Sequence, residues 1–274
     1  MNEKISLAGD LGSGKSTVSE ILIRRLGAEY YSTGAIVRSI AAKRGMSVVE
    51  LNLYMETHPE IDNEIDDGLK ELATLQKPLV IDSRMAWHFT EGTFKVYLST
   101  DAEVSAFRIM CANRHGEHCA TLEQTIEDTK ARRNSERKRY MTQYGVDIKD
   151  LTNYSVVVDT NDASPVEVAE QILSSFEIWK NDKSFKKAYI SPTRLMYPDD
   201  EADAELIEEY SSMLEAGEKI PEITVCEADN EFYLLSEAEA AIAYALSGNV
   251  FVPCNLVNGC RDSRVNYVKM MNSL

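Results

Sequence analysis

Gly9-Asp10-Leu11-Gly12-Ser13-Gly14-Lys15-Ser16 has the residue types and the spacing of a loop that holds phosphate. Glycines at 9, 12 and 14 let the backbone curl so that successive N–H groups point inward at an anion. In that pattern Lys15 reaches the β- and γ-phosphates and the Ser16 hydroxyl offers a ligand to Mg²⁺. Gly9, Gly12, Ser13, Gly14, Lys15, Ser16 and Thr17 are therefore the expected contacts to a nucleotide such as ATP. The alternative is a glycine-rich turn that binds nothing. The flanking sequence favours the first reading. Lys4–Ala8 reads as a short buried strand, and Ser16–Leu26 as a helix with Val18, Ile21, Leu22 and Leu26 on one face. A strand, a glycine-rich loop and a helix set a helix N-terminus against the anion.

Three further groups of residues could serve the same chemistry. Ser32-Thr33-Gly34 is followed four residues later by Arg38, which suits a strand-to-helix turn with a planar guanidinium one helical turn on. A capped helix with a surface arginine is the competing reading. Leu79–Asp82 reads as a buried strand running into Ser83 and Arg84. Ligands of doubly wound sheets sit at the carboxyl ends of the strands, so Asp82 and Arg84 are expected beside the phosphate loop. Asp82 could hold Mg²⁺ through water or bind a substrate hydroxyl, and Arg84 could hold an acceptor phosphate. A strand-end salt bridge is as good a reading for Asp82. Asp62 and Asp66, four apart, share a helix face. They could accept hydrogen bonds from a base or a ribose, or form a solvated acidic face.

These residues need a scaffold that gathers strand ends. Up to about residue 180, apolar strands (Lys4–Ala8, Glu29–Ser32, Leu79–Asp82, Lys95–Leu98, Val156–Asp159) alternate with helices, which predicts an α/β fold with a parallel sheet covered on both faces. Ser47 with Glu50 and Ser164 with Glu167 are capping boxes, the second with Pro165 at the first helical position. A polar stretch at 181–187 is the expected linker between a domain over 1–180 and a small α+β domain over 188–274. In the latter a helix at Ala204–Ala216, strands at Ile223–Glu227, Phe232–Leu235 and Val252–Val257, a turn at Asp229-Asn230 and a helix at Ser236–Ser247 capped by Ser236 with Glu239 are predicted.

Composition bounds the function. The net charge of −16 disfavours nucleic acid as a bulk partner, since a polyanion needs a basic surface. Lys130, Arg132, Arg133, Arg137, Lys138 and Arg139 form a local exception suited to a small anionic substrate. From Phe185 onward, 7 Lys+Arg stand against 16 Asp+Glu, a net of −9. No apolar run approaches the roughly 20 residues that span a membrane, and no signal peptide is evident, so a cytoplasmic protein is expected. Five scattered cysteines fit a reducing compartment. Cys111 and Cys119 near His115 and His118 invite a zinc site, but no second cysteine pair follows at zinc-finger spacing.

Taken together, the phosphate loop, Ser32-Thr33-Gly34 with Arg38, Pro59-Glu60-Ile61-Asp62 with Asp66, Ile81–Trp87, Ser135-Glu136, Arg139-Tyr140, Tyr144–Asp147, Tyr154 and Val157–Thr160 resemble the short, archaeal type of cytidylate kinase within the nucleoside monophosphate kinase family. The resemblance covers residues 1 to about 178. It implies a P-loop nucleoside monophosphate kinase fold with a helical acceptor segment and a mobile lid. It implies transfer of the γ-phosphoryl group of ATP to CMP or dCMP, with Mg²⁺ held by Ser16 and Asp82. Lys15, Arg84 and Arg132 would be catalytic, and Arg114 would face the adenine or the lid. Thr33, Gly34, Arg38, Asp62, Asp66, Asp82, Arg84 and Arg139 would bind the acceptor.

The chain also departs from that pattern. Lys130 stands where relatives tend to have arginine, Arg133 where they tend to have an acid, and Ser155 follows Tyr154 where they often have aspartate. Asp10 brings a negative charge into a phosphate loop. The segment 186–258 is weakly similar to ParB-like N-terminal domains, but Ser236-Glu237-Ala238-Glu239 replaces the glycine and arginine of their phosphate site. That segment reads as an accessory module, a docking site for a protein partner or an acidic surface without one. Two alternatives to nucleoside monophosphate phosphorylation stand: a P-loop kinase for another small acceptor, and a non-catalytic nucleotide sensor with the C-terminal domain as its output.

Overall fold

A computed structural model describes residues 3–112, 121–259 and 261–269. The contacts divide the chain into two compact units, Met1–Asp150 and Leu151–Leu274.

The first unit is a doubly wound α/β unit. In order it contains β1 (Lys4–Gly9), α1 (Lys15–Leu26), β2 (Glu29–Ser32), α2 (Thr33–Arg44), α3 (Val48–Met55), α4 (Glu60–Thr74), β3 (Leu79–Asp82), α5 (Ala86–Phe89), β4 (Phe94–Ser99), α6 (Ala102–Cys111) and α7 (Leu122–Tyr144). Its strands run parallel in the order β4-β1-β3-β2. β1 is central and buried along its whole length, as a strand covered on both faces must be. Its neighbours are in register so that Leu7 stands beside Asp82 on one side and Val96 on the other. The strand ends therefore converge at one edge, where the chain leaves β1 into the glycine-rich loop and β3 into Ser83 and Arg84.

Local sequence accounts for the helices that flank this edge. α1 starts on Gly14 in the left-handed conformation (φ 79°) and ends on Gly27. Ser32 caps α2 through the Ala35 N–H at 3.3 Å. Ser47 and Glu50 form the expected capping box of α3. One apolar cluster joins Leu69 and Leu72 of α4 to Leu79, Ile81, Tyr140 and Ile148. A second joins Ala41, Val48, Leu51, Met55 and Ile61 and so welds α2, α3 and α4 into a separate lobe.

The second unit contains β5 (Val156–Asp159), α8 (Pro165–Asn181), β6 (Lys187–Ile190), β7 (Leu195–Pro198), α9 (Ala204–Glu215), β8 (Ile223–Ala228), β9 (Glu231–Ser236), α10 (Ala238–Leu246), β10 (Val252–Val257) and β11 (Tyr267–Lys269). Its strands lie in the order β5-β6-β10-β8-β9-β7-β11 in a mixed sheet. The polar stretch 181–187 lies inside this unit: Asp182 caps α8, and Lys187 opens β6 beside Val156. Asp229 and Asn230, both at positive φ, make the expected two-residue hairpin turn between β8 and β9. Arg194 is 1% exposed, pairs with Asp159 at 3.2 Å and donates to the Asn230 carbonyl at 2.6 Å. It ties the end of β5 to that turn.

One local expectation fails here. Ser236 does not cap α10, because it still belongs to β9 and stands opposite Thr224. Glu237 takes the cap position with φ 59°, and Glu239 instead accepts from the Asp203 N–H at 3.5 Å.

Candidate functional site

The phosphate loop owes its shape to two close approaches. A Cβ on Gly9 would meet the Leu98 carbonyl oxygen at 2.5 Å, and one on Gly12 would meet the Ser105 carbonyl oxygen at 2.5 Å. Gly12 also sits at φ +71°. Only glycine permits both the contact and the backbone at that position. Ser13 donates to the Asp10 carbonyl at 2.8 Å, and Ser105 to the Leu11 carbonyl at 2.6 Å, so the loop is braced from inside and from α6. Lys15 folds over the loop and donates to the carbonyls of Gly9 at 3.0 Å and Asp10 at 2.6 Å. Burial, reinforced by the Arg84 guanidinium, pulls the Lys15 ammonium down to about 7, against the pull of Asp82, Asp10 and Glu136.

The negative charge of Asp10 is not presented to the phosphate site. Its carboxylate is buried and turned outward, accepting from the Tyr97 hydroxyl at 2.9 Å and the Thr100 N–H at 3.2 Å. Lys149 at 3.1 Å and Arg133 at 3.2 Å neutralise it. Burial alone would raise its carboxyl, but these two cations hold it far below the usual range.

A cleft opens over the loop. Gly12, Ser13, Gly14, Lys15 and Ser16 form its floor. Thr33, Gly34 and Arg38 enter from the start of α2, where the Arg38 guanidinium lies 3.5 Å from the position of a Gly34 Cβ. Asp82, Ser83 and Arg84 enter from the end of β3. The Asp82 carboxylate accepts from the Tyr30 hydroxyl at 3.0 Å. Ser16 and Asp82 both line the cleft and offer oxygen ligands, the kind a hard dication takes. Among the described residues no group of three or more His, Cys, Asp and Glu could hold a metal ion without other ligands.

α7 supplies the remaining wall. Glu136 receives Arg84 Nε at 2.9 Å on one carboxylate oxygen and Arg132 Nε at 3.2 Å on the other. Burial pushes the Glu136 carboxyl up, but the two guanidiniums prevail and bring it to about 2. The same pairing raises Arg84 despite its own burial. Arg139, from the same helix, pairs with Asp62 at 2.9 Å and donates to the carbonyl and side-chain oxygens of Asn52 at 3.2 and 3.3 Å.

Of the expected site residues, Gly12–Ser16, Thr33, Gly34, Arg38, Asp82, Arg84, Arg132 and Arg139 are gathered on this cleft. Gly9 lies beneath the loop, with its carbonyl on Lys15. Thr17 follows in the first turn of α1. Asp62 and Asp66 are not a solvated acidic face: both are buried, behind the wall. Asp62 braces Arg139, and Asp66 accepts from the Tyr144 hydroxyl. Burial raises the Asp62 carboxyl to about 6, with Arg139 opposing and Asp66 adding to the rise. Arg114, His115, His118 and Cys119 lie outside the described residues; Cys111 is exposed on α6. Asn52, Ser83, Glu136 and Tyr140 also line the cleft; Asn52 was not singled out from sequence, and the other three were named there without a site role. Two of them carried a signal. Asn52 is a polar residue in the apolar run Val-Val-Glu-Leu-Asn-Leu-Tyr-Met, and Glu136 is a lone acid four residues after Arg132 within a basic run.

Comparison with known proteins agrees with this geometry. A family model described as an AAA domain matches residues 5–136. A protein named cytidylate kinase from Archaeoglobus fulgidus is 35% identical over 178 residues, 65% of this chain and 96% of that protein. Another of that name from Sulfurisphaera tokodaii is 36% identical over 171 residues, 61% of this chain and 92% of that one. A protein named S-adenosylmethionine-dependent nucleotide dehydratase, from Lacinutrix mariniflava, matches at 35% identity over 65% of this chain but only 36% of its own length. Relatives matched along almost their whole length, on a phosphate loop that faces an arginine-lined cleft, show the family: the chain belongs to the cytidylate kinases, within the P-loop nucleoside monophosphate kinases.

Proposed function

We propose that the protein transfers the γ-phosphoryl group of ATP to a pyrimidine nucleoside monophosphate, CMP or dCMP. The observation that carries this reading is the pairing of Lys15 on the phosphate loop with Arg38, Arg84 and Arg132 around the same cleft. A donor triphosphate needs the loop and Lys15. An acceptor that already bears a phosphate needs further planar cations, and Arg38 from the first turns of α2 and Arg84 from the end of β3 supply them. An acceptor without a phosphate would leave those guanidiniums without a task.

In this mechanism the protein positions and neutralises, since phosphoryl transfer asks for little covalent chemistry from the enzyme. Loop N–H groups and the N-terminus of α1 hold the donor phosphates. Lys15 exchanges its carbonyl partners for phosphate oxygens. The Glu136 carboxylate bridges Arg84 and Arg132 and holds both guanidiniums at the cleft. Arg139 presents donors towards the base end of the cleft, steadied from behind by Asp62 and Asn52. Ser16 and Asp82 would hold Mg²⁺, which when bound neutralises the donor's terminal phosphates. α7 acts as the lid that excludes water from the transfer.

Lys15 gives the site a pH signature. In the free protein its ammonium titrates near 7, so at pH 8 it is mostly neutral. Polyphosphate restores the cation, so ATP binding takes up protons at pH 8 and fewer at pH 6. Calorimetry in two buffers of different ionisation enthalpy reads this directly; equal apparent enthalpies at pH 8 would contradict it.

ADP release in the presence of CMP, dCMP, UMP, AMP or no acceptor tests the function. Stimulation by CMP and dCMP above the others is expected. No stimulation by any monophosphate would overturn the reading. The second unit is read as an accessory module, with its acidic surface facing a protein partner, and the whole chain as cytoplasmic. Among the described residues no helix is long and apolar enough to cross a membrane.

A further inference from the structure

One heavily paired carboxylate of the first unit belongs to the phosphate loop, yet it does not line the cleft. Asp10 is 3% exposed and gathers four groups: the Tyr97 hydroxyl of β4, the Thr100 N–H, Lys149 and Arg133. Three of these belong to the sheet edge or to the segment after α7. Arg133 alone belongs to α7, and it is the residue next to Arg132, whose side chain does line the cleft.

Several other ties of α7 run elsewhere. Ser135 donates to Glu56 at 2.6 Å, Lys138 pairs with Glu56 at 3.1 Å, and Arg139 pairs with Asp62 at 2.9 Å. All three fasten the helix to the acceptor lobe of α3 and α4. The pairing of Glu136 with Arg84 reaches the end of β3. Arg133–Asp10 is the tie that docks the helix onto the phosphate loop itself, and it is desolvated, with the Asp10 side chain 1% and the Arg133 side chain 20% exposed. The buried Asp10 carboxylate has no water as an alternative partner, so the pair holds its geometry better than an exposed one would.

We propose that Asp10 is a positioning residue: through Arg133 it docks α7 on the phosphate loop and so presents Arg132 to the cleft before any nucleotide arrives. The acid in the loop and the base in the helix form one device. Backbone N–H groups of the loop hold the donor, while the loop's own side chain holds the helix that must cover it. The kinetic part of this inference rests on the phosphoryl-transfer reading above; the positional part does not.

The test compares Arg133→Met, Arg133→Lys and Lys149→Met in the full chain. Arg133→Met leaves Asp10 with Lys149, Tyr97 and Thr100, so the loop keeps a paired carboxylate and the fold survives. Amide hydrogen exchange of the ligand-free protein should show α7 exchanging about tenfold faster in Arg133→Met, with Arg133→Lys restoring most of the protection and Lys149→Met leaving α7 as in the parent. In turnover, Arg133→Met should lower kcat by about tenfold with the acceptor KM within about twofold, the split expected when only the covering arm is lost. Unchanged α7 exchange in Arg133→Met would overturn the proposal. So would Lys149→Met loosening α7 as much as Arg133→Met, which would make the cluster a general brace. If no acceptor supports turnover, the function fails but the exchange result still decides the docking.

Discussion

Lys15→Met lowers kcat/KM for phosphoryl transfer by about 10³-fold or more, the loss typical of removing one preorganised donor from a developing charge. The ammonium sits over the loop and donates to the Gly9 and Asp10 carbonyls in place of phosphate oxygens. Methionine keeps the length and the burial but brings no charge. The folded protein does not suffer for it. Burial lowers the Lys15 ammonium from 10.5 to about 7, so the charged form is disfavoured on folding. The sign follows: a base with a lowered folded value makes the ligand-free protein less stable below about pH 7, and stability recovers as pH rises from there towards its unfolded value. Lys15→Met therefore melts at or above the parent temperature below pH 7 while losing turnover. Steady-state kinetics and thermal melts on the same preparation check both halves. A variant that is inactive because it is unfolded would break the argument.

Arg139→Met produces the second large effect, and it separates stability from pH in the opposite direction. Arg139 and Asp62 are 6% and 4% exposed in their side chains and 2.9 Å apart. Removing the guanidinium leaves a buried carboxylate without its cation, a change that costs about 3–5 kcal/mol when the charge stays. Asp62 has an escape, because burial already raises its carboxyl to about 6, and the loss of Arg139 raises it further. An acid with a raised folded value contributes stability that is present below its unfolded value and lost as pH rises through the folded one. The penalty of Arg139→Met is therefore near its full size at pH 8 and shrinks towards pH 5, where Asp62 is protonated. Denaturant melts at the two pH values measure it. At pH 8 the acceptor KM also rises, since Arg139 lines the cleft. An equal loss of stability at both pH values would show that packing, not the pair, sets the cost.

The residues that could be read from sequence are those whose task is local. The phosphate loop declares itself in eight residues, and Arg38, Asp82 and Arg84 follow from their places at strand ends. The strands β1, β3, β4 and β5 are equally plain, because each is a mostly apolar, buried run. What escaped was long-range. Asp10 meets Tyr97 and Lys149 across separations of 87 and 139 residues, and nothing near Asp10 announces that its carboxylate turns away from the phosphates. Asp62 read from composition alone as a solvated face, and only the structure shows Arg139 closing over it. Glu136 joins two arginines drawn from different elements, so its role exists only in three dimensions. In the second unit β6, β7 and β11 are three or four residues long and carry Lys or Pro, too short for a period to register. The failed cap of α10 has the same origin: Ser236 has the right chemistry, but pairing with β8 keeps it in the strand.

The most direct measurement of the central claim follows labelled phosphate. The purified full chain is given ATP labelled in the γ-phosphate together with CMP, and the label is traced among nucleotides and free phosphate. The account predicts label in cytidine diphosphate, dependent on Lys15, with little released as inorganic phosphate while the acceptor is present. Label that remains in ATP, or that appears only as free phosphate whatever acceptor is supplied, would contradict it.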